Sequence, residues 1–227
     1  MSPARVLAPA EMTARDLSRR RIALALLTAL PLALYGAQAG HLRHAVVTGG
    51  VVMAFSVAGA AMFASFATRA VDQRLMLAGY RPYELLLGRL LLLEVLGVLV
   101  AALFSVVMVL GTGPSDTPAL VGGVALVAFT SVPFGLALGA LAPQELEGTL
   151  ILIGVVGIQL TTESSQLVAK FLPFWGPQRL LTHSIDTTVA IGAAVPVDIA
   201  YALALLLVAV YAIGRRVPVI SAPPVSR

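Results

Sequence analysis

Several things are scarce in this sequence, and each scarcity removes a class of protein. Cysteine is absent from all 227 residues, which excludes disulfides, thiolate metal sites and a cysteine nucleophile. Lysine occurs once, as Lys170 in Val168-Ala169-Lys170-Phe171, with no glycine loop before it. A Walker A loop needs G-x-x-x-x-G-K-[ST] so that the lysine reaches the phosphates, and that motif is missing. Neither a G-x-S-x-G elbow nor an H-E-x-x-H helix occurs. The three histidines, His41, His44 and His183, fall in expected loops, which leaves no paired haem ligands within a span. His41 and His44 stand at i,i+3 with no third ligand, a weak basis for a metal site. No enzymatic activity, metal or cofactor is therefore expected of this chain. Charge is the last shortage. Only 11% of the residues are charged, whereas a soluble domain carries about 25% to cover its surface.

What is present is apolar: 59% of the chain is hydrophobic, and the mean hydropathy is +0.94. Lipid suits such a chain as solvent. Backbone groups in lipid must be satisfied internally, so the spans are helices or a closed barrel. The long apolar runs lack the alternation of barrel strands and read as helices. Six stand out: Ile22–Gly40, Ala45–Thr68, Leu85–Leu110, Ala119–Ala142, Gly148–Thr162 and Ile199–Gly214. The fifth is short and is expected to continue through Glu163–Ser165. The sixth is short too, and Val189–Val197 could lengthen it past Pro196. The expectation is a single all-α transmembrane domain over residues 1–227, with spans near 22–40, 45–68, 85–110, 119–142, 148–165 and 198–214 and no nucleotide-binding domain.

The net charge of +4 does not point to nucleic acid, because the charges cluster at the ends of the apolar runs. Arg5, Arg15, Arg19, Arg20, Arg21, Arg69, Arg74, Arg81, Arg89, Arg215, Arg216 and Arg227 fall on one side of a six-span layout. Arg43, Lys170 and Arg179 fall on the other. Basic residues favour the cytoplasm, so both termini are expected there. An alternative is that Arg19–Arg21, the following apolar run and Ala37-Gln38-Ala39 form a cleaved signal peptide, leaving five spans in the same orientation.

Some segments carry more than topology. In Arg69–Arg89, Val71, Leu75 and Ala78 lie at helical spacing. Gly79 then offers a stop, and Pro82 a new start. A short amphipathic helix at the cytoplasmic surface is expected there; the alternative is a basic loop that only sets topology. Gly135-Leu-Ala-Leu-Gly139 places small residues four apart, which lets helices approach closely, and Pro143 then turns the chain beside Glu145 and Glu147. Glu94 lies within the third span, where a carboxylate is costly and faces protein or water. It either pairs with a neighbour such as Arg89 or serves transport. A proton relay would need a second such group, and no other carboxylate is expected deep in an apolar run. Gln159, Thr161, Thr162 and Glu163 cluster at the outer end of the fifth span, lining a solute route or sitting at headgroup level. Pro173, Trp175, Gly176 and Pro177 break helix in a segment that lies on or re-enters the outer interface.

In order and spacing these features resemble the permease subunit of type-2 ABC exporters of bacteria. The match is best over Arg74-Leu-Met-Leu-Ala-Gly-Tyr-Arg-Pro-Tyr-Glu-Leu-Leu-Leu-Gly-Arg89, where the family has a coupling helix that docks on a separate ATPase. Gly135–Gly148 resembles the family's fourth-to-fifth junction. Phe171-Leu-Pro-Phe-Trp-Gly-Pro-Gln-Arg-Leu-Leu181 resembles the external stretch leading into re-entrant helices. The family's frequent acid-Arg-Gly-Thr run is replaced by Asp72-Gln73-Arg74-Leu75. The resemblance implies two ATPase subunits that hold ATP and magnesium, and a second permease chain, identical or homologous. It implies residence in the bacterial cytoplasmic membrane and export of a hydrophobic or amphipathic substrate. It assigns ATPase coupling to Asp72, Gln73, Arg74, Leu75, Met76 and Tyr80. The other readings are an ATPase-independent, proton-coupled transporter using Glu94, or a non-transporting assembly or immunity factor.

Overall fold

A computed structural model describes residues 29, 31–38 and 42–215. Among them every regular element is a helix: α1 Leu42–Leu77, α2 Pro82–Thr112, α3 Thr117–Leu141, α4 Glu145–Thr161, α5 Trp175–Ile185 and α6 Ala194–Arg215. A 3-10 turn, Val168–Phe171, stands between α4 and α5, and residues 31–37 are also helical. Among the described residues four helices are long and apolar enough to cross a membrane: α1 from His44, α2, α3 and α6. About half of the expected first span lies outside the described residues, and the basic segment before it, His41, Arg216 and Arg227 lie wholly outside them.

Local chemistry sets the helix ends. Pro82 opens α2, where its missing N–H has no intrahelical partner to lose. The Glu84 carboxylate then accepts from the Arg81 N–H at 3.0 Å. Asp116 caps α3 by accepting from the Ala119 N–H at 3.0 Å, as an N-cap side chain should. Gly79, at φ +90°, ends α1 in a backbone region that other residues avoid. Nothing between Thr68 and Leu77 breaks helix, so α1 runs nine residues past the expected end of the second span. The separate amphipathic helix expected there is instead the last part of α1.

The fifth apolar run differs in the opposite sense. α4 ends at Thr161 rather than Ser165, and its 17 residues reach about 26 Å at 1.5 Å per residue. The Thr162 hydroxyl bonds back to the Ile158 carbonyl at 2.7 Å, and the Thr162 backbone is already extended. α6 begins at Ala194, earlier than the expected 198, with Pro196 in its first turn, where proline fits.

α3 is the centre of the bundle. Every residue from Thr130 to Ala140 is buried, and α1, α2, α5 and α6 all pack on it. Its most apolar stretch is 78% buried, against 17% for α6 at the periphery. The closest approach is to α1. A Cβ on Gly135 would overlap the Ala58 carbonyl oxygen, and one on Gly139 the Ser65 side chain, so the small-residue pair seats α1 directly on α3. The outward faces carry Leu91, Val95, Leu99 and Leu103 on α2 and Ile199, Leu203 and Leu207 on α6. That exterior is far more apolar than a water-exposed surface of this size would be.

α5 is too short to span. It runs antiparallel to α3: the Asp116 N–H donates to the Ser184 carbonyl at 3.0 Å at one end. At the other, Phe174 meets Phe134 edge to face, with centroids 5.7 Å apart. Phe174 is fully buried. After α4 the chain therefore turns back into the bundle and climbs out again along α3.

Candidate functional site

Two groups of polar side chains interrupt the apolar interior. The first lies where α1 and α3 finish and α2 begins. The final carbonyls of a helix have no N–H partner within it, and Pro143 after α3 has no N–H to give. Arg69 supplies what is missing. Its Nη1 donates to the Pro143 carbonyl at 2.7 Å, and its Nη2 to the carbonyls of Gly139 at 2.7 Å and Ala142 at 2.5 Å. The guanidinium also lies 3.9 Å from the centroid of the Phe66 ring. A cation at a helix C-terminus is favourable in its own right.

One turn further along α1, Asp72 faces Arg89 of α2. Arg89 Nη2 donates to both carboxylate oxygens, at 2.9 and 3.1 Å, and the two residues are only 8% and 2% exposed. A buried pair of this kind holds its helices in one register, because either partner alone would be an uncompensated charge. Arg69, Asp72 and Arg89 line a cavity of about 50 Å³ that Ile213 of α6 closes. Four helices are thus tied together at this end.

The second group surrounds the start of α5. Gln159 of α4 donates through Nε2 to Gln178 Oε1 at 2.6 Å, and Gln178 Nε2 donates to the Thr162 carbonyl at 2.9 Å. Trp175 Nε1 donates to the Ser164 carbonyl at 3.0 Å. The Thr130 hydroxyl of α3 donates to Asp198 Oδ2 of α6. Gly176 lets α5 lie against α6 here, since a Cβ would come within 2.8 Å of the Asp198 Cβ. Thr130, Gln159 and Asp198 are essentially inaccessible, and Gln178 nearly so. Asp198 Oδ1 and Gln159 Oε1 have no hydrogen-bond partner among the described residues.

The expected site residues separate on inspection. Of the coupling set, Gln73 and Arg74 are exposed, and Leu75, Met76 and Tyr80 are half-buried. Asp72 faces inward to Arg89 and is not on that surface. The sequence offered Arg89 as a partner for Glu94. The structure spends Arg89 on Asp72 instead, and Glu94 Oε1 has no hydrogen-bond partner among the described residues. Of the substrate-path candidates, Gln159 and the Thr162 carbonyl join the inner cluster. Thr161 is exposed with its hydroxyl bonded back to the Ile158 carbonyl at 3.0 Å. Glu163 is exposed and accepts from the Ser165 hydroxyl at 3.3 Å.

Sequence reasoning missed Asp198, Thr130, Gln178 and the role of Arg69. It also expected no second carboxylate deep in an apolar run, and Asp198 is one. The signal was available: Ala193-Ala194-Val195 before Pro196 continues the apolar run, which places Asp198 inside the helix rather than at its edge. Among the described residues no cluster of histidine, aspartate and glutamate could hold a metal ion. No protein-family model and no curated protein matches this chain.

Proposed function

We propose that this chain is the permease subunit of an ATP-driven ABC exporter in the bacterial cytoplasmic membrane. Two copies, or this chain and a homologue, would assemble with two ATPase subunits that bind ATP and magnesium. The cargo would be hydrophobic or amphipathic. One observation carries the reading: α1 is an unbroken lever. Its last turns, with Gln73, Arg74 and the exposed Leu77, follow directly on residues fixed to α2 by Asp72–Arg89 and to α3 by Arg69. A push on the tip would move three helices as one body, which is what coupling hydrolysis to transport requires. The basic-residue asymmetry supports a cytoplasmic position for this end.

The rest of the bundle supports the same reading. α5 with its flanking turns suits the re-entrant segment expected on the outer side. The α4 face bearing Leu150, Gly154, Gly157 and Thr161 is exposed, and nothing lies within 4 Å of a Cβ on either glycine. Such a face permits close approach of a second permease across a central route. The testing experiment is purification of the tagged chain from its native membrane. An ATPase should co-purify and hydrolyse ATP in the complex; its absence under conditions that keep the chain folded would sink the proposal.

A second reading draws on Asp198. It supplies the second buried carboxylate that a proton relay would need beside Glu94, which favours an ATPase-independent transporter. Transport that survives ATP depletion but stops when the proton gradient is collapsed would select it.

A further inference from the structure

We propose that the wedge between α2 and α3 binds a lipophilic monovalent cation, with Glu94 as its counter-charge. The wedge opens on the outward surface and encloses about 570 Å³, within the range of about 300–1,000 Å³ usual for small-molecule sites. Val98, Ala102 and Val106 of α2 face Val121 and Ala125 of α3 across it, and Ser105 contributes the one polar side chain of its lining. Positions 94, 98, 101 and 105 fall on one stripe of α2 at helical spacing, so Glu94 lies one turn below the lining, on the side where Val98 and Ser105 stand.

The chemistry of the ligand follows from what surrounds that carboxylate. Glu94 is half-buried, and its Oε1 has no hydrogen-bond partner among the described residues. Arg89 is five positions earlier, hence roughly 140° away around the helix, and its guanidinium is held by Asp72. A carboxylate at this depth is costly alone. A small hard cation would need six or more oxygen ligands, and the wedge offers one carboxylate and one hydroxyl. A cation that spreads its charge over a large apolar body satisfies both halves of the site: its charge meets Glu94 while its apolar surface fills the valine and alanine walls. Of the helical residues 31–37, Tyr35 lies against Gly111 and beside Met108, at the edge of the α2 face that bears Ala101 and Ser105.

As the cargo class of an exporter, this inference rests on the function proposed above; as a binding site it can be read without any ATPase. The experiment is equilibrium binding of radiolabelled tetraphenylphosphonium to the full chain in phosphatidylcholine nanodiscs, with empty nanodiscs subtracted. The expected result is one saturable site that Glu94→Gln weakens by at least about tenfold, as loss of a close counter-charge in a low-dielectric setting should. Ala125→Phe and Ala102→Phe, both at exposed positions, fill the wedge and should each abolish it. Neutral tetraphenylsilane should compete poorly against wild type. Equal affinity in wild type and Glu94→Gln would overturn the inference. If Glu94→Gln fails to fold, unchanged binding in both phenylalanine variants does the same. Binding with these losses but no ATP-driven export keeps the site and removes the exporter; ATP-driven export in a chain without this binding keeps the exporter and removes the site.

Discussion

At the scale of single residues, the interior polar groups do different jobs, and substitutions should tell them apart. Asp72 and Arg89 are a buried charge pair, so Asp72→Asn or Arg89→Leu alone should cost about 3–5 kcal/mol by stranding the other charge. Replacing both with a matched apolar pair should recover most of that loss. Thermal unfolding of the purified variants in detergent would show it; single variants as stable as wild type would mean the pair is incidental. Asp198 and Thr130 should behave otherwise. Asp198→Asn keeps an acceptor for the Thr130 hydroxyl and removes a buried charge, so its melting temperature should equal or exceed that of wild type. Thr130→Val strips the carboxylate of its donor and should cost about 1–3 kcal/mol. The reverse order of stabilities would show that the charge on Asp198 is satisfied by something other than Thr130.

Among elements, the glycines of α3 and α4 make the clearest contrast. Gly135 sits where a side chain would strike the α1 backbone, whereas Gly157 has open space around it. Gly135→Val should therefore destabilise the bundle by about 1–3 kcal/mol or prevent its assembly. Gly157→Val should leave the isolated chain's melting unchanged and act only on association with a second copy. Monomer melting curves together with cross-linking yields would separate the two effects.

The helices themselves were largely legible in the sequence. Long apolar runs bounded by Pro82, Asp116 and Pro143 leave little choice of state or boundary, and α2 and α3 match expectation within three residues at each end. What was hidden depended on contacts between distant positions. The continuation of α1 to Leu77 was missed although no residue there breaks helix, because a segment bearing Asp72 and Arg69 looks like a separate solvated surface piece until Arg89 and the α3 carbonyls are brought to it. The start of α5 reads in sequence as helix-breaking, yet Trp175, Gly176 and Pro177 form its first turn. Its burial was not legible either: Trp175 and Gln178 look polar enough for an interface, and only the Ser164 carbonyl and Gln159 of α4 draw them inside.

Across the whole molecule, the packing contacts form a continuous path. The exposed tip of α1 connects through a stapled base to the central helix α3, and α3 carries on its far half both the short α5 and the wedge beside Glu94. A partner that moves the tip would thus reach every polar feature of the interior through rigid contacts. Such a partner must bind the tip differently in its two states, or the movement has no driving force. The most direct test is ATP hydrolysis by the proposed complex of this chain with an ATPase, comparing wild type with the paired variant Arg74→Glu, Leu77→Asp, which alters exposed tip residues and leaves Arg69, Asp72 and Arg89 in place. The account predicts that this variant inserts and melts normally but loses ATPase association and cargo-stimulated hydrolysis; association and hydrolysis unchanged from wild type would contradict it.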